Sequence, residues 1–310
     1  PAHCMRAAEL SKCDLLTSMV GEFADLQGLM GSYYAANDGE APEVAQAIHE
    51  QYQPRFAGDD LPASETGAIL AVADKLDTMV GLFGIGQPPT GSKDPFALRR
   101  SAIGILRILV EKPLELDLKW LIKASVESFP DDLLLADTGD KVFEFILERF
   151  RAWYLDEGIS SEEFQSVFAL RPSRPLDFHR RVQAVHAFGL KPEAQSLAAA
   201  NKRVANILSK QDSAAVQPAL SESLLQESAE KALYAAIIDK ESEVAPCLKQ
   251  GDYQKGLTLL AELKPAIDGF FDEVLVMAED EAVRDNRLAL LAKLQALFLN
   301  LADISHLTKS

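Results

Sequence analysis

Apolar residues recur along most of the chain at the spacing of a helix that buries one face. In SETGAILAVADKLDTMVGLFG, residues 64–84, Ile69, Val72, Leu76, Met79, Val80 and Phe83 follow the i, i+3, i+4, i+7 pattern. Ser64, with Pro62 shortly before it, suits the N-cap because its hydroxyl can accept from a first-turn amide, and Gly84 suits the stop. In DKVFEFILERFRAWYLDEG, 140–158, Val142, Ile146, Phe150 and Trp153 form a second stripe, closed by Gly158. In RLALLAKLQALFLNLADI, 287–304, Leu288, Leu291, Leu294, Phe298, Leu301 and Ile304 form a third. The run FALRRSAIGILRILVE, 96–111, predicts a helix burying Ile103, Leu106 and Val110, with Asp94 as its cap and Pro95 at its first position. Gly104 inside it costs about 1 kcal/mol relative to alanine, which predicts close approach of a neighbouring backbone. No segment alternates as a strand does, and no Asn-Gly hairpin signal occurs. The expected fold class is all-α.

Breaks at Lys112-Pro113, RPSRP (171–175), Lys191-Pro192 and QDSAAVQPALSES (211–223) divide this pattern. They suggest a helical domain over 1–115, a helical connector over 116–190 and a C-terminal helical bundle over 191–310, with 211–223 a loop inside it. No fixed-period repeat supports a solenoid.

Charge narrows the functional classes. The net charge is −16, and the three stretches 1–120, 121–200 and 201–310 hold 10, 9 and 12 Lys/Arg against 17, 13 and 17 Asp/Glu. A nucleic-acid binder driven by general charge is disfavoured, because phosphate neutralisation needs clustered cations. Only local arginine clusters could hold a shaped RNA. No run approaches the roughly 18 apolar residues of a membrane span. The start, PAHCMRAAEL, lacks the apolar core of a secretory signal and reads as the beginning of a fragment of a longer protein. Cys4, Cys13 and Cys247 are odd in number and have no paired spacing, which fits a reducing cytoplasm.

The stretch GIGQPPTGSKDPFALRR, 84–100, approaches a phosphate-binding loop. Gly86 and Gly91 have the Walker separation, but Ser92 precedes Lys93, reversing the required order, and a helix rather than a strand leads in. Two readings stay open for Arg99 and Arg100: a solvated face paired with acidic neighbours, or, with Lys93, a compact cationic phosphate contact. No G-x-S-x-G or H-E-x-x-H motif occurs. His179 and His186 share a helical face but stand about 10.5 Å apart along the axis, too far to hold one ion by themselves.

Five strings, KCDLLTSMVGEFADLQGLMGSYYA (12–35), VAQAIHEQYQPRFAGDDLP (44–62), ADKLDTMVGLFGIGQPPTGSKDPFALRR (73–100), RFRAWYLDEG (149–158) and AAANKRVANIL (198–208), together closely resemble the β subunit of bacterial heterotetrameric glycyl-tRNA synthetase. The resemblance runs from about Arg6 to the end and matches the C-terminal part of that longer subunit. It implies an HD-like helical domain, a helical connector and a C-terminal helical-bundle anticodon-binding domain of the type shared with arginyl-tRNA synthetase. Glycine activation, with ATP and Mg, would belong to the separate α subunit of an α2β2 tetramer in the cytoplasm, leaving this portion without catalytic residues, metal or cofactor.

The same resemblance sets Cys13-Asp14 where an active HD phosphohydrolase has its His-Asp metal pair, and Asp74 where it has its last ligand. With cysteine for histidine the site is degenerate, since a hard hydrolytic metal prefers oxygen and imidazole donors. Asp14 and Asp74 are then expected to be capped or paired structural carboxylates, and His49 a surface or packing residue. The alternative function is a metal-dependent HD-type phosphohydrolase with an appended helical domain; a plain helical scaffold is the third.

The leading reading is a portion that binds tRNA-Gly. Its candidate contacts are Lys93, Arg99 and Arg100, then Arg171, Arg174, Arg180 and Arg181 around the RPSRP helix start, and then Asn201, Lys202, Arg203, Arg284 and Arg287 at two expected helix starts. Such residues can grip phosphates and the edges of unpaired bases. Phe270 and Phe271 could stack on bases, but their spacing with Val274 favours a core role.

Overall fold

The computed structural model describes residues 1–210 and 220–308. All regular structure among them is helical, apart from one isolated bridge between Thr90 and Lys93. Contacts divide the chain into two compact units, one of residues 1–153 with 173–176, the other of 154–172 with 177–310. The stretch 116–190, expected as a connector, is thus shared out between them. Most of the Ser/Ala/Pro-rich loop expected at 211–223 lies outside the described residues; of its end, Glu222 begins a short 3-10 turn.

The first unit contains α1 (Ala2–Leu10), α2 (Ser18–Glu22), α3 (Leu29–Asn37), α4 (Pro42–Glu50), α5 (Glu65–Gly84), α6 (Leu98–Glu111), α7 (Leu118–Val126) and most of α8 (Thr138–Asp156). Helix α4 packs on α1, α3 and α5, while α5 also packs on α6 and α7. As expected, Ser64 caps α5 by accepting from the amide of Gly67, and Val72, Leu76, Met79, Val80 and Phe83 are buried. Ile69 is not: it is 51% exposed, because the buried face of α5 turns through Ala68, Leu70 and Ala71 at that point.

Buried polar side chains brace this apolar core. Glu50, at the end of α4, accepts from the amides of Ala63 and Ser64 and from the Ser64 hydroxyl, fixing the start of α5. Gly67 lies against that carboxylate, so any β-carbon there would strike it. Lys75 is buried on α5 and donates to the carbonyls of Gln51 (3.1 Å) and Gln53 (2.8 Å). Gly104 does mark a close approach, but not of a backbone. A β-carbon there would meet the Lys75 chain at 3.2 Å and the Pro54 ring at 3.3 Å.

Helix α6 departs from its expected start. It begins at Leu98 rather than Pro95, and Ala97 before it adopts a left-handed conformation with φ 54°. Asp94 still caps it, reaching past that kink to accept from the amides of Leu98 (2.8 Å) and Arg99 (2.9 Å). Leu106 and Val110 are buried as expected and Ile103 is half-buried. Ala102, Ile105, Ile108 and Leu109 are buried as well, so the helix is covered over a wider arc than one stripe.

The second unit contains α9 (Ser161–Phe168), most of α10 (Pro175–Gly189), α11 (Ala194–Leu208), α12 (Ser228–Gln250), α13 (Tyr253–Ala261), α14 (Lys264–Glu273) and α15 (Glu281–Leu299). Helix α12 packs on α13, α14 and α15, and α11 packs on α14 and α15. All six apolar residues expected on the last stripe, Leu288 to Ile304, are buried. Tyr154, Phe164 and Phe178 are fully buried, the rings of Tyr154 and Phe178 stacking at 6.1 Å.

Burial lowers the Lys75 pKa from 10.5 to about 8. Between those values the unfolded chain keeps a proton that the folded chain has lost, so the contribution of Lys75 makes stability rise with pH across that window. Urea unfolding of the native protein and of Lys75→Met from pH 7 to 10.5 should show their difference changing by about 1.4 kcal/mol per pH unit above pH 8 and staying flat below it. A difference independent of pH would mean that the ammonium is hydrated.

Candidate nucleic-acid interface

The loop before α6 is a tight turn. Thr90 and Lys93 exchange backbone hydrogen bonds of 3.1 and 2.8 Å around Gly91, which has φ 51°. Arg99 folds back to donate to the Gly91 carbonyl at 2.7 Å and stands 4.0 Å from Asp94. Arg99 is therefore the brace of this turn. The first amides of α6 are already taken by Asp94, so they cannot cradle a phosphate in the manner of a helix start. Lys93 and Arg100 are exposed, with no ion-pair partner among the described residues. The turn carries two available cations rather than three.

The arginines around α10 have divergent roles. Arg181 bonds Asp177 (2.8 Å), donates to the carbonyls of Asn300 and Leu301 (both 2.8 Å), and lies over the Tyr253 ring at 4.3 Å. It holds the turn that follows α15, an internal task. Burial first, and then its bond to Asp177, push the Tyr253 hydroxyl up to about 12. Arg174 is exposed. Although burial opposes it, the Ser173 hydroxyl, the Trp120 and Lys119 amides and then Arg174 hold the Asp117 carboxyl below its usual range. Arg171 and Arg180 are exposed, but both also contact other groups of the protein.

In the second unit the expected cluster separates into buried and exposed members. Asn201, Lys202 and Arg203 occupy the middle of α11 rather than its start, because the helix begins at Ala194. Asn201 is buried, and its amide donates to the Leu197 carbonyl at 3.0 Å. Arg287 is buried against Glu230 and donates to the Leu275 carbonyl at 2.8 Å. Glu230 in turn accepts from the amides of Gln226 and Glu227 at the start of α12. Asn286 exchanges two hydrogen bonds with the Ser221 backbone. Arg284 sits near Glu281 (3.6 Å) and Asp285 (3.8 Å).

What remains on the surface is Lys202, whose ammonium reaches the Thr308 hydroxyl at 2.9 Å, and Arg203, whose guanidinium lies 4.1 Å from the centre of the Phe271 ring. Phe270 is fully buried, as the core reading required, whereas Phe271 stays half-buried beneath Arg203. Leu275 and Met277 are exposed beyond α14. Sequence reasoning missed this stack, because it weighed the two phenylalanines together. It also missed the exposed pair, whose one signal is that VLVMAED falls out of helical register.

The residues set at HD metal positions have other partners. One Asp14 oxygen accepts from the amides of Gly28 (2.6 Å) and Gly31 (3.1 Å), Asp74 pairs with Lys12, and the exposed Cys13 thiol is 3.9 Å from the Glu9 carbonyl. His49 is half-buried on α4. These donors do not converge, and among the described residues no group of three His, Cys, Asp or Glu could hold a metal ion. His179 and His186 on α10 are engaged separately, His179 with the Tyr154 hydroxyl (3.0 Å) and His186 with Glu163 (3.1 Å). Among the described residues no helix is long and apolar enough to cross a membrane.

Comparison with known families gives this surface its setting. Residues 197–308, which include the Arg203–Phe271 stack, match the DALR anticodon binding domain. Residues 2–169 match the glycyl-tRNA synthetase beta subunit. The chain belongs to the glycyl-tRNA synthetase beta subunit family. It is 54% identical over 305 residues to a glycine–tRNA ligase beta subunit of Marinobacter nauticus and 56% identical over 303 residues to one of Pseudomonas aeruginosa. A third, from Citrobacter koseri, is 52% identical over 303 residues. Each match covers 98% of this chain and 44% of the relative, so the chain spans less than half the length of the proteins it matches. The family match favours the synthetase reading over an HD phosphohydrolase.

Arg287→Ala should cost about 3–5 kcal/mol of stability, because it strands a buried carboxylate. Chemical denaturation should show part of that loss recovered by adding Glu230→Gln. RNA affinity per folded molecule should be unchanged, and a stable but RNA-deficient Arg287→Ala would reverse this assignment.

Proposed function

We propose that this chain is the tRNA-binding portion of a glycine–tRNA ligase, holding the anticodon loop of tRNA-Gly with its second unit. Glycine activation, with ATP and Mg, falls to a separate α subunit in an α2β2 assembly of the cytoplasm. The observation that carries the reading is the exposed Arg203–Phe271 stack within the anticodon-binding match. Unpaired bases are recognised by stacking on aromatic rings and guanidinium planes, combined with hydrogen bonds to their edges. Lys202, one residue away, is placed to meet a phosphate, and Lys93 and Arg100 offer a further cationic contact for the RNA or the partner subunit. Arg99, Asn201, Arg181 and Arg287 support the protein and leave recognition to these exposed groups.

Titration with tRNA-Gly tests the division of labour. Arg203→Ala with Phe271→Ala should weaken binding by about 1–3 kcal/mol, the usual worth of one stacked base. Lys202→Ala should weaken all tRNAs about equally and reduce the salt slope by about one. Equal affinity for tRNA-Gly and for a variant with altered anticodon bases would remove the anticodon reading and leave a subunit contact in its place.

A further inference from the structure

Asn206 stands exposed in the last turn of α11, and its side-chain amide takes part in no hydrogen bond among the described residues. The Ser209 hydroxyl approaches its backbone carbonyl instead, at 3.3 Å. Asn201, earlier on the same helix, is by contrast buried and bonded to the Leu197 carbonyl. Asparagine is a weaker helix former than alanine, because its side chain competes for nearby backbone groups. Asn206 makes no such bond, so stability alone would favour alanine there.

The surroundings of this amide point to a ligand. At about 3.6 residues per turn, position 206 projects between Lys202 and Arg203, one turn further along the helix. Both are exposed, as is Lys210, and no Asp or Glu occurs between Glu193 and Asp212. The strip is thus positive on a chain of net charge −16, and it lies within the anticodon-binding match. Lys202 offers a charge, and Arg203 a plane held over Phe271. The carboxamide between them sets an acceptor beside a donor. That pair complements the Watson–Crick edge of cytosine, where the N4 amino group donates next to the N3 acceptor. Unpaired bases are read by such hydrogen bonds to their edges. Glycine codons begin with two guanines, so tRNA-Gly carries cytosine at its second and third anticodon positions. We propose that Asn206 reads one of these cytosines, its Oδ1 accepting from N4 and its Nδ2 donating to N3. This rests on the reading of the second unit as a binder of the anticodon loop.

The test titrates this chain with tRNA-Gly and with two variants, each carrying guanine in place of one of the two cytosines. Asn206→Ala should reduce the preference for cytosine about tenfold at one position and leave the other unchanged. Asn206→Asp is nearly isosteric and replaces the donor by a second acceptor, which suits the N1 and N2 donors of guanine. It should shift the preference toward guanine at that same position, a change that a merely structural role would not produce. Thermal unfolding should show both variants folded. Grafted in place of the matching part of a full-length relative, the chain and its variants should show the same shifts. If Asn206→Ala keeps both preferences, or weakens every tRNA equally, the assignment is wrong while the anticodon reading stands. If the shifts vanish in the full-length protein, the rest of that polypeptide covers this face and the proposal fails. If the native chain does not distinguish the tRNA variants, the anticodon reading itself falls and takes the proposal with it.

Discussion

Each helix that begins within a packed all-helical protein leaves its first amides without partners, and those amides must be satisfied. Here carboxylates meet that constraint repeatedly. Asp14 serves the start of α3, Glu50 that of α5, Asp94 that of α6 and Glu230 that of α12. Asp117, Asp252 and Asp280 cap α7, α13 and α15 directly. Part of the net charge of −16 is therefore spent inside the fold on helix dipoles and open amides, where negative charge is favourable. Just past the opposite end of α15 a cation, Arg181, binds the carbonyls of Asn300 and Leu301.

The positive charges of this acidic protein divide in the same way. The cations that hold the fold together are the buried or half-buried ones, Lys75, Arg99, Arg181 and Arg287. Many others lie on the surface, several of them paired with carboxylates, as Arg6 is with Glu40 and Lys141 with Asp137, so what counts locally is which exposed cations stand apart from acidic neighbours. Lys93 and Arg100 have no ion-pair partner among the described residues, while Asp94 beside them is engaged by Arg99 and by the first amides of α6.

The sequence made the helices legible wherever one face alone is buried. Val142, Ile146 and Phe150 on α8 are examples. It was less informative where an element is covered on several sides, as in α6 and in the first half of α15, where Asn286 to Leu291 are all buried and only the stripe was read, or where a start is displaced by a left-handed residue such as Ala97. Periodicity says nothing about a carboxylate four residues upstream that reaches past a kink. The candidate site was legible as residue types but not as roles. Asn201 and Lys202 are adjacent in sequence, yet the helix turns one inward and the other outward. Arg287 shows the same limit: its partner Glu230 lies 57 residues away, a pairing that local pattern cannot reveal.

The stacking of Arg203 on Phe271 has a consequence for how any ligand would meet it. A free arginine samples many rotamers, and immobilising such a side chain costs about 0.5–1.5 kcal/mol on association. A guanidinium already held over a ring, 4.1 Å from its centre, has surrendered much of that freedom during folding. The plane it offers is therefore prepared before the ligand arrives, and binding there is penalised less by lost entropy. A ring and a guanidinium plane accept any flat partner, so the stack supplies adhesion without choice. Discrimination must come from hydrogen-bonding groups around its rim.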